Sequence, residues 1–261
     1  MAITAQDVKE LRERTGIGMM ECKKALMSTD GNMEKAIEEL RKKGLAKAAK
    51  KADRETLEWA IKIITKGNKA YILSISCETD FLAISDKFKS MMSDMIKFLE
   101  ENGESSKDSA QEKINSDYAL ELGENLKIKE YKIVEADSIA SYVHSNGKLA
   151  SVISAKAGTD TEKLKQVAMH VTAANPEYLR AEDISDEIVE KEKALQLEIM
   201  KNDEKMWNKP EQVLVKIIEG KMWKFKSEIS LLEQAFVIDP NQKVKAFIWE
   251  DTIEKFYRFS I

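Results

Sequence analysis

Apolar residues recur every three to four positions through the first fifty residues, the period of helices that bury one face. Thr4 is the predicted N-cap of a helix over 5–14, with Val8 and Leu11 on one side. Gly16-Ile17-Gly18 interrupts it. A second helix over 19–28 carries Cys22, Ala25 and Leu26 inward, and Asp30-Gly31-Asn32 turns the chain. A third helix over 33–43 carries Ala36, Ile37 and Leu40, and residues 44–55, rich in alanine and lysine, read as a helical linker. A bundle this small has a limited core and suits an adaptor more than a catalytic domain.

From Leu57 the period drops to two. Trp59, Ile61 and Ile63 alternate, Lys66-Gly67-Asn68 turns, and Tyr71, Leu73, Ile75 and Cys77 alternate again, which predicts a β-hairpin. A helix is predicted from Phe81 to Leu99, with Phe88, Met91, Met92, Met95 and Leu99 in the core. The pattern returns 80 residues later: Gly67 maps to Gly147, Thr79-Asp80 to Thr159-Asp160, and Tyr71, Leu73, Ile75 and Cys77 to Ser151, Ile153, Ala155 and Ala157. The second copy runs from Ser141 through a Ser-Asn-Gly turn to Ala155, then a helix over 161–174 ended by Asn175-Pro176. Between the copies lie a helical stretch from Gln111 to Leu122, a turn at Gly123-Glu124-Asn125-Leu126 and a strand through Ile128, Tyr131, Ile133 and Val134. Two charged helices follow, 185–200 and 211–225. Their narrow stripes (Ser185, Ile188, Glu192, Leu195, Ile199; Val213, Leu214, Ile217, Ile218) predict an antiparallel coiled-coil hairpin turning at 202–210. The segments 232–236, 244–248 and 256–259 return to the second copy. The fold class is therefore α+β.

Of 261 residues, 34% are charged and 43% apolar, with 3 Pro, 2 Cys and 2 His, a globular composition. No run is apolar enough for a bilayer, and the N-terminus has no apolar signal core, so a cytoplasmic protein is expected. Cys22 and Cys77 form no disulfide framework and no zinc spacing. No glycine-rich phosphate loop, nucleophile–base pair or metal cluster is evident, so neither an enzyme nor a cofactor is expected. Residues 1–52 carry a net +4 and the remainder −8. The run Arg41-Lys42-Lys43, Lys47, Lys50 and Lys51 reads either as a phosphate contact or as a solvated helix end. The second reading is favoured, since charge runs usually are solvated faces. A nucleic-acid binder is opposed by the acidic body and by the lack of aromatic–basic interleaving.

The stretch Leu11-Arg12-Glu13-Arg14-Thr15-Gly16-Ile17-Gly18-Met19-Met20-Glu21-Cys22-Lys23-Lys24-Ala25-Leu26 resembles the N-terminal signature of the elongation factor Ts family. That resemblance implies a ubiquitin-associated-like three-helix domain that touches the nucleotide-binding domain of elongation factor Tu through Lys9, Met19, Met20 and Lys23. Met19 and Met20 point about 100° apart on a helix, so at least one must be exposed, and a flexible thioether suits a partner surface. Thr79-Asp80-Phe81-Leu82-Ala83 is similar to the family's Thr-Asp-Phe-Val-Ala motif. Spacing alone favours a capping signal with a staple-like contact here. The resemblance instead implies that Thr79, Asp80, Phe81 and Leu82 intrude between helices of elongation factor Tu and disturb its Mg²⁺ site. Where the family often places a basic residue after the motif, this chain has Ile84. His144 aligns with a family histidine at the partner's nucleotide domain, and His170 reads as structural.

The resemblance runs from Thr4 to Phe259. It implies a guanine-nucleotide exchange factor that meets elongation factor Tu in GDP-bound and nucleotide-free forms, in a 1:1 or 2:2 complex, with no direct nucleic-acid or membrane contact. The expected parts are a three-helix domain with linker (1–52), a first core subdomain (53–138), a second (139–184 and 227–261) related to it by duplication, as in a dimerisation-type core, and the inserted hairpin (185–226). Many bacterial members continue with a further helical module, whereas this sequence ends at Ile261. A scaffold that binds partners without exchange is the competing class.

Overall fold

The computed structural model describes residues 3–202, 210–249 and 251–260. They divide into two units, residues 3–134 with Ser145–Lys148 and Glu135–His144 with Leu149–Ser260.

In the first unit, helix α1 (Ala5–Thr15) starts where Thr4 and Asp7 exchange hydrogen bonds. The Asp7 N–H donates to Thr4 Oγ1 at 3.2 Å and the Thr4 N–H to the Asp7 carboxylate at 2.8 Å. Helices α2 (Met19–Ser28) and α3 (Met33–Lys51) complete a bundle around Leu11, Cys22, Ala25, Leu26, Ala36 and Leu40. The third helix, expected over 33–43, continues unbroken to Lys51 and takes in most of the segment 44–55 read as a helical linker. Gly44 is where it packs most closely. A Cβ there would stand 2.5 Å from the Ser116 carbonyl oxygen and 3.0 Å from that of Asn115. Its absence lets α3 lie directly on the helical run Lys107–Leu122, whose ends are α6 (Lys107–Lys113) and α7 (Ala119–Leu122), joined by a π-helical turn at Ile114–Tyr118. The basic run is used in the same contact. Arg41 pairs with Asp117 at 3.1 Å, Lys47 donates to the Leu120 carbonyl at 3.2 Å and Lys51 to that of Gly123. Lys42 and Lys43 each pair with a glutamate one turn back. Neither a free phosphate cluster nor a simple solvated helix end describes this segment.

Strands β1 (Glu58–Lys66) and β2 (Lys69–Cys77) form the expected antiparallel hairpin, Glu58 opposite Cys77, with Gly67 at φ +58° leading the two-residue loop. β3 (Lys127–Glu135) lies on the other side of β2. The alternating Leu73, Ile75 and Cys77 meet Phe88, Met91, Met92, Met95, Ile96 and Leu99 in one core. The single helix expected over 81–99 is two, α4 (Asp80–Ile84) and α5 (Asp86–Asn102). Ser85 adopts an extended backbone between them and caps α5, accepting the Phe88 N–H at 3.2 Å.

In the second unit, β4 (Ser138–Val143), β5 (Leu149–Ala155) and β6 (Ile253–Ser260) form an antiparallel sheet in that order. Helix α8 (Thr161–Ala174) follows the central strand, as α5 follows β2, and is capped by Asp160. Leu164, Val167, Ala168 and Val171 pack with Leu231, Leu232, Phe236, Val244 and Ile253. His170 is fully buried there. The Val237 N–H donates to its Nδ1 at 3.2 Å, so Nε2 carries the proton and donates to Gln234 Oε1 at 2.8 Å. Gln234 passes its own N–H on to the Glu228 carbonyl at 2.6 Å. The structural reading of this histidine holds.

Helices α9 (Asp186–Lys201) and α10 (Glu211–Ile229) pack through Val189, Met200, Leu214, Ile217, Ile218 and Met222. The stripe expected on α9 is rotated by about one position. Leu195 and Ile199 are exposed, as is Val213 on α10. The inward polar position is Gln196, which accepts from Lys221 Nζ at 2.7 Å and donates to Glu192 at 2.7 Å. Residues 203–209 of the expected turn lie outside the described residues. A short helix α11 (Val244–Ile248) precedes β6. Among the described residues no helix is long and apolar enough to cross a membrane.

Two outcomes are expected. Gly44→Ala should destabilise by about 1–3 kcal/mol, because its Cβ meets backbone that overpacking must displace. Gly220→Ala, in open space on α10, should stabilise by about 0.5–1 kcal/mol; urea unfolding of both variants reads the contrast in sign. Burial holds the His170 imidazole below its ordinary value of 6.5. The unfolded chain therefore takes up that proton first, and stability is lost as pH falls below 6.5, by at most about 1.4 kcal/mol per pH unit. Urea midpoints between pH 7.5 and 5.5 should show this slope in the native protein and a shallower one in His170→Gln.

Candidate functional site

Helix α4 has only five residues, and its N-terminus is fixed by polar contacts. Thr79 caps it, with Oγ1 accepting the Leu82 N–H at 3.3 Å. Asp80 accepts the Phe81 N–H at 2.8 Å. Ala83 is buried and Leu82 half-buried against the first unit's core. On the opposite side Phe81 is 80% exposed and Ile84 65%. Capping and projection, alternatives in the sequence, coexist: Thr79 supplies the cap, and Phe81, as the second helical residue, makes no staple. Large exposed apolar side chains beside one another mark binding surface.

The segment Gly123-Glu124-Asn125 crosses behind this turn. Glu124 accepts the backbone N–H groups of Glu78 and Thr79 at 2.8 and 2.9 Å and the Thr79 hydroxyl at 2.5 Å. Glu78 answers by accepting the Asn125 N–H at 2.7 Å and Arg54 Nη1 at 3.2 Å. Burial alone would raise the Glu78 carboxyl, but Asn125 and Arg54 outweigh it and hold it below the ordinary value. Cys77 Sγ donates to the Thr79 carbonyl at 3.3 Å. Burial pushes that thiol up to about 12, so it stays protonated and no nucleophile. Sequence reading passed over Glu124 and Asn125 as turn residues; nothing local distinguishes them, since their partners lie more than forty residues away.

On α2, Met19 is 48% and Met20 67% exposed, and Lys23 is exposed beside them. Met27, seven residues after Met20 and also exposed, continues the stripe. The i, i+7 spacing could have revealed it. Lys9 lies on α1, pairing with Glu13 at 3.8 Å on the surface. His144 belongs to the second unit, where Tyr142 Oη meets its Nδ1 at 3.2 Å.

A family model described as Elongation factor TS matches residues 78–261, from the residue before Thr79 through the second unit. The chain belongs to the elongation factor Ts family. Membership implies a role in translation elongation as a nucleotide exchange factor for elongation factor Tu, and no covalent chemistry of its own. The match includes the Thr79–Leu82 turn, Glu124 and His144.

Proposed function

We propose that this chain exchanges guanine nucleotide on elongation factor Tu by disturbing the partner's Mg²⁺ site. The observation that carries the reading is Phe81, an aromatic ring held in water on a helix tied down at its N-terminus. Phe81 enters between partner helices, Asp80 engages polar groups beside it, and Thr79 and Leu82 hold the turn in place. Met19, Met20 and Lys23 with Lys9 anchor a ubiquitin-associated-like module, residues 1–52. The first core subdomain, 53–138, presents the wedge; the second, 139–184 and 227–261, adds His144. Residues 185–226 form the coiled-coil hairpin. The complex is 1:1 or 2:2 and works in the cytoplasm, where elongation proceeds.

The energetics are those of linkage. Elongation factor Tu holds GDP through phosphate contacts and a bridging Mg²⁺. A factor that prefers the nucleotide-free form must weaken GDP by the same ratio. About 4 kcal/mol of coupling gives roughly a thousandfold. GTP then rebinds and displaces the factor.

Stopped-flow release of a fluorescent GDP analogue from elongation factor Tu tests this. The native chain should accelerate release. Phe81→Ala should lose about tenfold to a hundredfold of that acceleration, since burying such a ring contributes about 1.5–3 kcal/mol. Binding without acceleration would leave a scaffold; native-like acceleration by the variant would remove the wedge.

A further inference from the structure

We infer that Glu124 is the positioning residue for Phe81, an inference that rests on the exchange reading above. A helix of five residues is far shorter than one that is stable alone. Strand β2 ends at Cys77, so the N–H groups of Glu78 and Thr79 need another partner. The Glu124 carboxylate takes both, and its second oxygen takes the Thr79 hydroxyl proton. That last bond fixes the rotor: with its proton turned to Glu124, Thr79 Oγ1 offers a lone pair to the Leu82 N–H. One carboxylate thus sets the chain's direction into α4 and the state of its cap, through charge-assisted bonds about twice as strong as neutral ones.

Glu124 is itself held on both sides. Lys51 donates to the Gly123 carbonyl, and the Asn125 N–H donates to Glu78. Asn125 Nδ2 donates to the Arg54 carbonyl at 2.7 Å and to that of Ala52 at 3.3 Å. The end of α3, the strand-to-helix turn and the segment before β3 are joined through the three residues Gly123-Glu124-Asn125. Glu124 does not touch the nucleotide; it acts through Phe81.

The test uses the full chain with elongation factor Tu and a fluorescent GDP analogue. Glu124→Ala should lose about tenfold to a hundredfold of the acceleration, the scale of a misplaced group. Glu124→Gln, whose amide oxygen still accepts the two backbone N–H groups, should recover part of it. The double variant with Phe81→Ala should be no slower than Phe81→Ala alone. In the free protein, amide exchange at Thr79–Ala83 should quicken in Glu124→Ala while the α5 amides keep their protection. Native acceleration by Glu124→Ala, multiplying effects in the double variant, or loss of protection throughout the unit would each overturn the inference. If the native chain does not accelerate release, the exchange reading fails, and if Phe81→Ala exchanges nucleotide normally, the wedge fails; in either case the amide pattern still decides whether Glu124 orders the turn.

Discussion

A five-residue helix with its aromatic ring in water cannot hold itself in place. Helix nucleation fixes several residues for a single hydrogen bond, and the exposed Phe81 adds no packing of its own. The turn depends on what lies behind it: the Thr79 cap, the anchoring of Leu82 and Ala83 in the core, and the bonds to Glu124. The hairpin delivers the turn, α5 supplies the core beneath it, and α3 braces the segment that carries Glu124. Rigidity matters because a partner surface gains little from a ring that must first be ordered.

Much of the fold was legible because period and burial coincide. The hairpin, the Met-rich α5, the three-helix bundle and the second sheet follow from alternation and helical spacing. The failures each have a local cause. Ser85 splits one expected helix because a serine cap offers the backbone a better partner than continuation does. Gly44 begins the segment read as a helical linker and is a contact point within α3, which the sequence does not show because the backbone it meets is about seventy residues away. On α9 the apolar count favoured Leu195 and Ile199, whereas Gln196 bonds inward and turns the helix about one position. At the site, the motif and the exposed methionines could be read from sequence. Glu124 could not, because a Gly-Glu-Asn turn carries no sign of a partner so distant.

Two features that invite a functional reading are consumed by structure. Five of the six cations in the run 41–51 meet carboxylates or carbonyls of their own unit. His170 satisfies both ring nitrogens inside the second core, neutral and in a single tautomer. At the candidate site the exposed side chains are instead largely apolar, Phe81 and Ile84 on α4 and Met19, Met20 and Met27 on α2, and other large apolar side chains such as Leu57 and Trp249 are exposed elsewhere. That contrast favours a protein-binding surface over a nucleic-acid or catalytic one.

Exchange by linkage requires that the chain prefer elongation factor Tu without nucleotide, and the wedge requires in addition that Phe81 be a source of the preference. The most direct measurement is the affinity of the native chain and of Phe81→Ala for elongation factor Tu in its GDP-bound and nucleotide-free forms. The expected result is a large ratio for the native chain, equal to the factor by which it weakens GDP, and a markedly smaller ratio for the variant. Equal affinity for the two forms, or a ratio unchanged by Phe81→Ala, would contradict the wedge.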